Sequence, residues 1–216
     1  MRINPILADE IFALNDNLSY VYEEGVITVD NWYRDIQLIC EVLENVSANA
    51  WKWNPNGRNF KDYQDCRFEI TNKFPGVWHR KTEEVIKYLI SQFFNETRDM
   101  SLVNTNYEFN AFKPIVDVNQ SYQMHPHIDH NYNIITYIDG VEDGGTALYE
   151  VIPERLRKNT EHENLLVDIS ESEFKIIPAK QNRTVIFKGD VYHAGYINDY
   201  SFYKDNWRVT QVNFLR

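Results

Sequence analysis

Cysteine is nearly missing from this chain: Cys40 and Cys66 are its only two, and neither stands in a Cys-x-x-Cys pair of the kind that holds zinc or cycles redox state. Both are expected as buried free thiols, which suits a reducing, cytoplasmic compartment. No apolar run approaches the ~20 residues needed to cross a bilayer. The N-terminal stretch MRINPILADE has no basic region followed by a long apolar one, so no secretory signal is expected. Internal repeats, low-complexity tracts and Gly/Ser-rich linkers are also lacking, and one domain is expected over residues 1–216. Cationic side chains are the minority, 22 Lys and Arg against 32 Asp and Glu for a net charge of −10. That balance disfavours nucleic acid as the main partner.

What is present describes an ordinary globular protein, with 216 residues, 43% hydrophobic and 14% aromatic. A chain of this length buries roughly two thirds or more of its unfolded surface without staples. The first hundred residues carry the two best helix candidates and are expected as a helical support region. Trp32, Ile36, Ile39, Cys40 and Leu43 share one 3.6-residue face after Asp30, a candidate N-cap. Thr82 is the candidate cap of a second helix bearing Ile86, Leu89, Ile90 and Phe93. Beyond residue 100 the signal changes to short strands: YEFNAF at 107–112, NIITYI at 133–138, RTVIF at 183–187 and WRVTQVNFL at 207–215. Helices followed by many strands predict a mainly β sandwich or barrel with flanking helices, its core at 101–216. The charged excursion at 154–173 is long for a compact domain and is expected as a lid, a binding loop, a short helix or a solvated surface segment.

The stretch HPHIDHNYN at 125–133 poses a metal question. In an extended segment alternate side chains point the same way, so His127 and Asp129 face one side together. His125 shares that parity, His130 points away, and Pro126 keeps His125 extended. Two imidazoles and one carboxylate on one face, with other positions open, suit a mononuclear iron that must also bind oxygen and a second reactant. The natural third ligand is His193 in GDVYHAGYI; His79 and His162 are not flanked by strands. Fifteen residues after His193 comes Arg208, sharing a strand face with Thr210, Val212 and Phe214. A guanidinium on a core face needs an anionic partner. A ligand carboxylate gripped by Arg208 and hydrogen-bonded by Thr210 would supply one.

His-x-Asp, a distal His about sixty to seventy residues on and Arg-x-Thr in a following strand together resemble the iron(II)- and 2-oxoglutarate-dependent dioxygenases, closest to their prolyl-4-hydroxylase-like branch. The resemblance runs through YQMHPHIDHNYNIITYIDGVEDGGTALYE and IIPAKQNRTVIFKGDVYHAGYI, roughly the C-terminal half of the chain. FPG before a helix resembles uncharacterised dioxygenase-like proteins of phages, for which the location would be the host cytoplasm. The resemblance implies a double-stranded β-helix, that is a cupin-like jelly roll. It makes His127, Asp129 and His193 the iron ligands and Arg208 the clamp on the distal carboxylate of 2-oxoglutarate, assisted by Thr210. Tyr122 and Tyr137 become candidate hydrogen-bond partners of the cosubstrate. The implied reaction consumes oxygen and 2-oxoglutarate, with ascorbate as a stimulating reductant, and hydroxylates a peptidyl proline, another side chain or a small amino-acid-like molecule while releasing succinate and carbon dioxide. Related halogenases have a small residue where Asp129 stands, so this carboxylate points to hydroxylation.

Two rival readings remain at this level. A non-catalytic jelly-roll module that keeps a metal for structure requires a fourth protein ligand and a closed site. A cupin-like metalloenzyme that does not use 2-oxoglutarate requires a glutamate a few residues after His125 and His127, where Asn131, Tyr132 and Asn133 stand. Gly144-Gly145 leads into no helix bearing a lysine and is expected as a tight turn, not a phosphate cradle. The sequence carries no signal of oligomeric state.

Overall fold

A computed structural model describes residues 9–45, 52–53, 63–70, 77–96, 105–114, 121–129, 131–139, 143–157 and 166–215. Thirteen strands are described. β1 (Ser19–Glu23), β2 (Val26–Asp30), β3 (Lys52–Trp53), β4 (Tyr63–Ile70), β5 (Thr105–Pro114), β7 (Tyr132–Asp139), β11 (Thr184–Lys188) and β13 (Arg208–Leu215) form one antiparallel sheet in the order β1-β2-β11-β7-β13-β5-β4-β3. A second sheet has the order β10-β8-β12, from β8 (Gly145–Val151), β10 (Glu173–Pro178) and β12 (His193–Tyr196). β6 (Tyr122–Met124) pairs with β9 (Leu166–Asp168), and the chain just after β6 joins β12 through the bridge between His127 and His193. Four central strands of the large sheet therefore face four of the smaller layer, the eight-strand jelly roll that the sequence implies.

Strand alternation sorts the side chains of the large sheet. Val26, Tyr137, Val185 and Phe187 point inward and meet Leu148 and Ile177 of the smaller sheet. Ile27, Val29, Ile134, Ile138, Ile186, Val209 and Leu215 point outward, onto helices α1 (Ile36–Glu44) and α2 (Val77–Phe93). Arg208 and Thr210 thus belong to the inner face, their odd-numbered neighbours to the helix side. A register shift where Val209 faces Asp139 and Thr210 faces Tyr137 bulges β7 beside them.

Both helix starts differ from the sequence reading. α1 begins at Ile36, where the Asp35 carboxylate accepts from the Leu38 N–H at 3.1 Å. Asp30 instead ends β2, with its carboxylate bound to Arg183 at 2.7 Å and Lys180 at 2.8 Å. The Arg183 hydrogen bond, reinforced by Lys180, holds that carboxyl at about 2 against burial. α2 begins before Thr82, which lies within it wholly buried. Its expected inward residues Ile86, Leu89 and Ile90 are buried. The first hundred residues are not purely helical support, since they supply strands β1–β4 as well. Cys40 is only half-buried; burial, then the charges of Asp139 and Glu44, pushes its thiol up to about 11. The Cys66 side chain lies outside the described residues.

The described ends of the 154–173 excursion are packed, not free. Leu156 of α3 (Glu154–Arg157) joins Val167 of β9 and Ile169 on the outer face of the smaller sheet. Gly144 has the positive φ of +81° expected of a turn glycine, and a Cβ there would lie 2.1 Å from the Tyr196 carbonyl oxygen.

Candidate metal centre

The centre is built on backbone pairing. The His127 N–H donates to the His193 carbonyl at 3.0 Å, and the His193 N–H returns the bond to the His127 carbonyl at 2.9 Å. Residues that exchange both bonds across antiparallel chains have side chains on the same face, and here the two rings lie 4.5 Å apart, centroid to centroid. The His-x-Asp motif is therefore not inside a long strand; it follows the short β6 as an extended segment held by this one bridge. Asp129 is fixed separately, its N–H donating to the Gly189 carbonyl at 2.8 Å, and Gly189 in turn donates to the Asn131 carbonyl at 2.7 Å.

One Asp129 carboxylate oxygen lies 3.4 Å from Nε2 of His193 and 3.9 Å from Nε2 of His127. One donor atom from each of the three residues falls within 4.8 Å of the others. Two neighbouring ligands about 2.1 Å from a shared ion stand roughly 3 Å apart, so small side-chain adjustments complete a coordination face. The tautomers are set by the backbone: Nδ1 of His127 meets the His125 carbonyl at 3.2 Å and Nδ1 of His193 meets that of Val191 at 2.9 Å. A carbonyl only accepts, so each Nδ1 carries its proton and each Nε2 presents a lone pair to the centre. Burial, and secondarily His193, pushes His127 down to about 4 against the pull of Asp129. Half of the His127 side chain still meets solvent, which moderates the burial contribution. The ring is neutral at pH 7, as a metal ligand must be.

Among the described residues no fourth His, Cys, Asp or Glu joins the three. His125 is buried with Nδ1 against the Pro126 carbonyl at 2.7 Å. His130, His162 and the His79 side chain lie outside the described residues. A borderline-hard set of two nitrogens and one oxygen donor with an open side suits a divalent first-row metal that keeps exchangeable positions.

On the inner face of the large sheet, Arg208 is 7% exposed and donates from Nη2 to the Gly145 carbonyl at 3.0 Å. Its Nε makes no hydrogen bond, and no acidic side chain among the described residues pairs with it. The guanidinium carbon sits 5.8 Å from the centroid of the Tyr137 ring. Tyr137 is wholly buried, burial pushes its phenol up, and its hydroxyl shares a 2.7 Å hydrogen bond with Thr146 of β8. Thr210 is buried opposite Tyr137. Tyr122 is not brought to this group. It is 44% exposed, and the buried residue of β6 is Gln123.

Strand geometry gives the span between the two parts. His193 and Gly195 are two residues apart on β12, roughly 7 Å, and Gly195 lies against the guanidinium: a Cβ there would be 3.6 Å from Nη1 of Arg208. Between these ends the inward pair Ile135 and Val212 is only partly buried. A buried cation with no acidic partner among the described residues, set against Gly195 one pleat along β12 from the His193 donor, is placed to meet the far end of a dicarboxylate. Thr146 and Gly195 were absent from the sequence-level site; the former lies in GGT and the latter in HAG, both within the stretches carrying the resemblance.

No protein-family model matches this chain, and no curated protein does. Solved structures do match. A Shewanella oneidensis protein assigned as an oxygenase superposes with a TM-score of 0.56 at 12% identity, covering 90% of this chain and 82% of that one. The Pseudomonas putida prolyl-4-hydroxylase gives 0.52 at 9% identity over 98% and 97% of the two chains. The epimerase SnoN, solved with Fe3+, alpha ketoglutarate and nogalamycin RO, gives 0.52 at 10% identity over 98% and 84%. The chain has the fold of the iron- and 2-oxoglutarate-using oxygenases. At these identities the likeness carries the fold, and chemistry has to be argued from the side chains.

Proposed function

We propose that the protein is an iron(II)- and 2-oxoglutarate-dependent oxygenase that hydroxylates a small-molecule or peptidyl substrate and releases succinate and carbon dioxide. The observation that carries this reading is Arg208, a buried guanidinium with no carboxylate partner among the described residues, on the inner face of the large sheet and turned towards the layer that carries His127 and His193. Leaving a charge so placed is costly unless a ligand supplies the counter-charge.

Iron(II) bound by the three donors, together with 2-oxoglutarate, supplies oxygen activation coupled to decarboxylation and insertion of oxygen into a C–H bond. The protein supplies position and electrostatics. The Nδ1–H bonds to the His125 and Val191 carbonyls keep both imidazoles aimed inward. Asp129 adds the negative charge that favours a cation there. Arg208 holds the far carboxylate of the cosubstrate, and Thr210, on the same strand face, assists. The Tyr137 hydroxyl, kept protonated by burial and tied to Thr146, keeps the polar floor of the cavity neutral.

Succinate formation from 2-oxoglutarate in air with ferrous iron tests the reading. Asp129→Ala abolishes it; full succinate formation by that variant would remove Asp129 from the centre and the reading with it.

A further inference from the structure

Strand β1 stands at one edge of the large sheet. β2 pairs with it on one side, and among the described residues no strand pairs on the other. All five of its residues, SYVYE, are exposed, Tyr20 and Tyr22 at 43% each and Val21 at 62%. Edge strands are ordinarily protected by lysine, proline, a bulge or an inward charge. This one has neither lysine nor proline and pairs with β2 in unbroken register. It is also braced from the helix side, where the Tyr20 ring meets Phe93 of α2 edge-on at 5.5 Å and the Tyr22 ring stacks on Phe93 at 5.0 Å. The result is a straight, apolar edge, supported from behind.

The hairpin turn decides which backbone groups face outward. Its two-residue loop, Glu24 and Gly25, has positive φ at both positions and closes on Glu23 and Val26, a pair that exchanges both bonds in a turn of this kind. Alternation along the ladder makes Val21 with Thr28 and Ser19 with Asp30 the other bonded pairs. The N–H and C=O groups of Tyr20 and Tyr22 therefore point away from β2. Two donors and two acceptors placed symmetrically about Val21 form a pattern that matches its own image under a two-fold rotation. With Val21 against Val21 of a second copy, Tyr20 meets Tyr22 twice and all four groups on each side are bonded. Centring on Tyr20 sets Tyr22 against Leu18, outside the strand, and centring on Tyr22 sets Tyr20 against Glu24, whose φ of 48° is not that of a strand. Only the register about Val21 uses the whole edge.

We propose that β1 is a dimerisation edge whose occupant is the β1 strand of a second copy of this chain, joining two eight-stranded sheets into one. The side chains fit the same register. On the helix face Tyr20 of each copy lies directly opposite Tyr22 of the other, so a row of four tyrosines runs between the two Phe93 rings; aromatic pairs placed this way stabilise antiparallel ladders. On the other face Val21 meets Val21 at the axis, a pair without mutual bonds and so the closest kind, about 4.5 Å between Cα atoms. Charge does not oppose the contact even in a chain of net charge −10. Glu23 falls against Ser19, and the two Glu23 residues stand roughly 13 Å apart along the ladder, beyond the screening length of ~8 Å at physiological ionic strength. A parallel pair would set Glu23 beside Glu23. Strands β2, β11 and β7 separate this edge from Arg208 on β13, so each copy keeps its own metal centre and the pairing does not rest on the oxygenase reading.

The test is sedimentation velocity of the full-length protein over about 1–100 µM, the range of moderate association. A concentration-dependent dimer of twice 25.7 kDa is expected, and nothing larger. Val21 is exposed enough to take a charge without disturbing the fold, so Val21→Lys and Val21→Glu each keep the native melting curve. Each sets like charges together on the axis and weakens the dimer by roughly tenfold or more; mixing the two variants pairs opposite charges there and restores it. In the native dimer, hydrogen exchange slows at the Tyr20 and Tyr22 amides but not at Val21, whose N–H is already held by β2. A monomer throughout the range overturns the proposal and leaves the edge to a strand from a different protein. A dimer indifferent to both charge variants, an assembly larger than two, or a mixture that stays monomeric overturns it as well, since each requires a different interface. Slow exchange at Tyr20 and Tyr22 in a monomeric protein would overturn it in favour of an occupant from within the chain.

Discussion

His127 and His193 exchange both backbone hydrogen bonds, at 3.0 and 2.9 Å, and each ring also faces the carbonyl of the residue two positions before it. One local pairing therefore sets the separation, the direction and the tautomer of two metal donors that are 66 residues apart in the chain. The pairing is made by backbone groups, and Asp129 is held separately through the Gly189 carbonyl, so the main chain preorganises all three donors. Such preorganisation lowers the ordering cost of binding.

Removing the Arg208 cation separates cosubstrate from metal. Arg208→Ala is expected to weaken 2-oxoglutarate binding by roughly 30-fold or more, the range expected when one partner of a buried charge pair is truncated, with iron affinity unchanged. Parallel titrations of iron and of 2-oxoglutarate check this. Loss of both together would make Arg208 a structural residue, and unchanged 2-oxoglutarate affinity would place the anion elsewhere.

Gly195 leaves the space in which that cation sits. A Cβ at this position would be 2.9 Å from Sδ of Met124 and 3.6 Å from Nη1 of Arg208. Met124 can move, so Gly195→Ala is expected to be mild. The branched Gly195→Val reaches the guanidinium and raises the 2-oxoglutarate KM tenfold or more, with a smaller change in kcat. Equal loss of kcat and KM effects for Ala and Val would argue against a spacing role.

The hydroxyl bond between Tyr137 and Thr146 joins the two sheets next to Arg208. Tyr137→Phe leaves the buried Thr146 hydroxyl without its partner, at a cost of about 1–3 kcal/mol. For a chain of this size that corresponds to a melting point lower by several degrees. An unchanged melting curve would show that Thr146 finds another acceptor.

The ion pair of Asp30 with Arg183 predicts an acid dependence. Its carboxyl is lowered from an ordinary 3.8 to about 2 in the fold. Asp30 therefore contributes stability that is full above about 4 and is lost as the pH falls through about 2. Urea midpoints of the native protein and Asp30→Asn should differ at pH 5 and converge near pH 2. A constant difference across that window would assign the effect to hydrogen bonding by the neutral form.

Much of the core was legible because period-two alternation is strong where one face meets a second sheet and the other meets helices, as in β7, β11 and β13. The His127, Asp129 and His193 grouping follows from the same parity plus one long-range pairing, a single bridge within the extended segment. Tyr122 was misplaced by side-chain chemistry. On β6 the buried position belongs to Gln123, whose amide donates to the Ile197 carbonyl at 2.8 Å and accepts from the Ile197 N–H at 3.0 Å. A polar side chain that satisfies a neighbouring backbone in this way is buried like an apolar one, and alternation gives no sign of it. The first helix start failed for a related reason: Asp30 and Asp35 both suit a cap, and only the distant Arg183 decides which is free to act as one. The β1–β2 hairpin turns through Glu24 and Gly25 at φ of 48° and 80°. That two-residue turn was written in the sequence with Glu in place of the usual Asn or Asp.

The most direct measurement is an anaerobic spectrum of the protein with iron(II) and 2-oxoglutarate. Chelation of the keto acid to iron held by His127, Asp129 and His193 predicts a visible charge-transfer band that disappears in His127→Ala and weakens in Arg208→Ala at limiting 2-oxoglutarate. Iron binding with no such band would contradict the account, leaving a jelly roll that holds a metal without this cosubstrate.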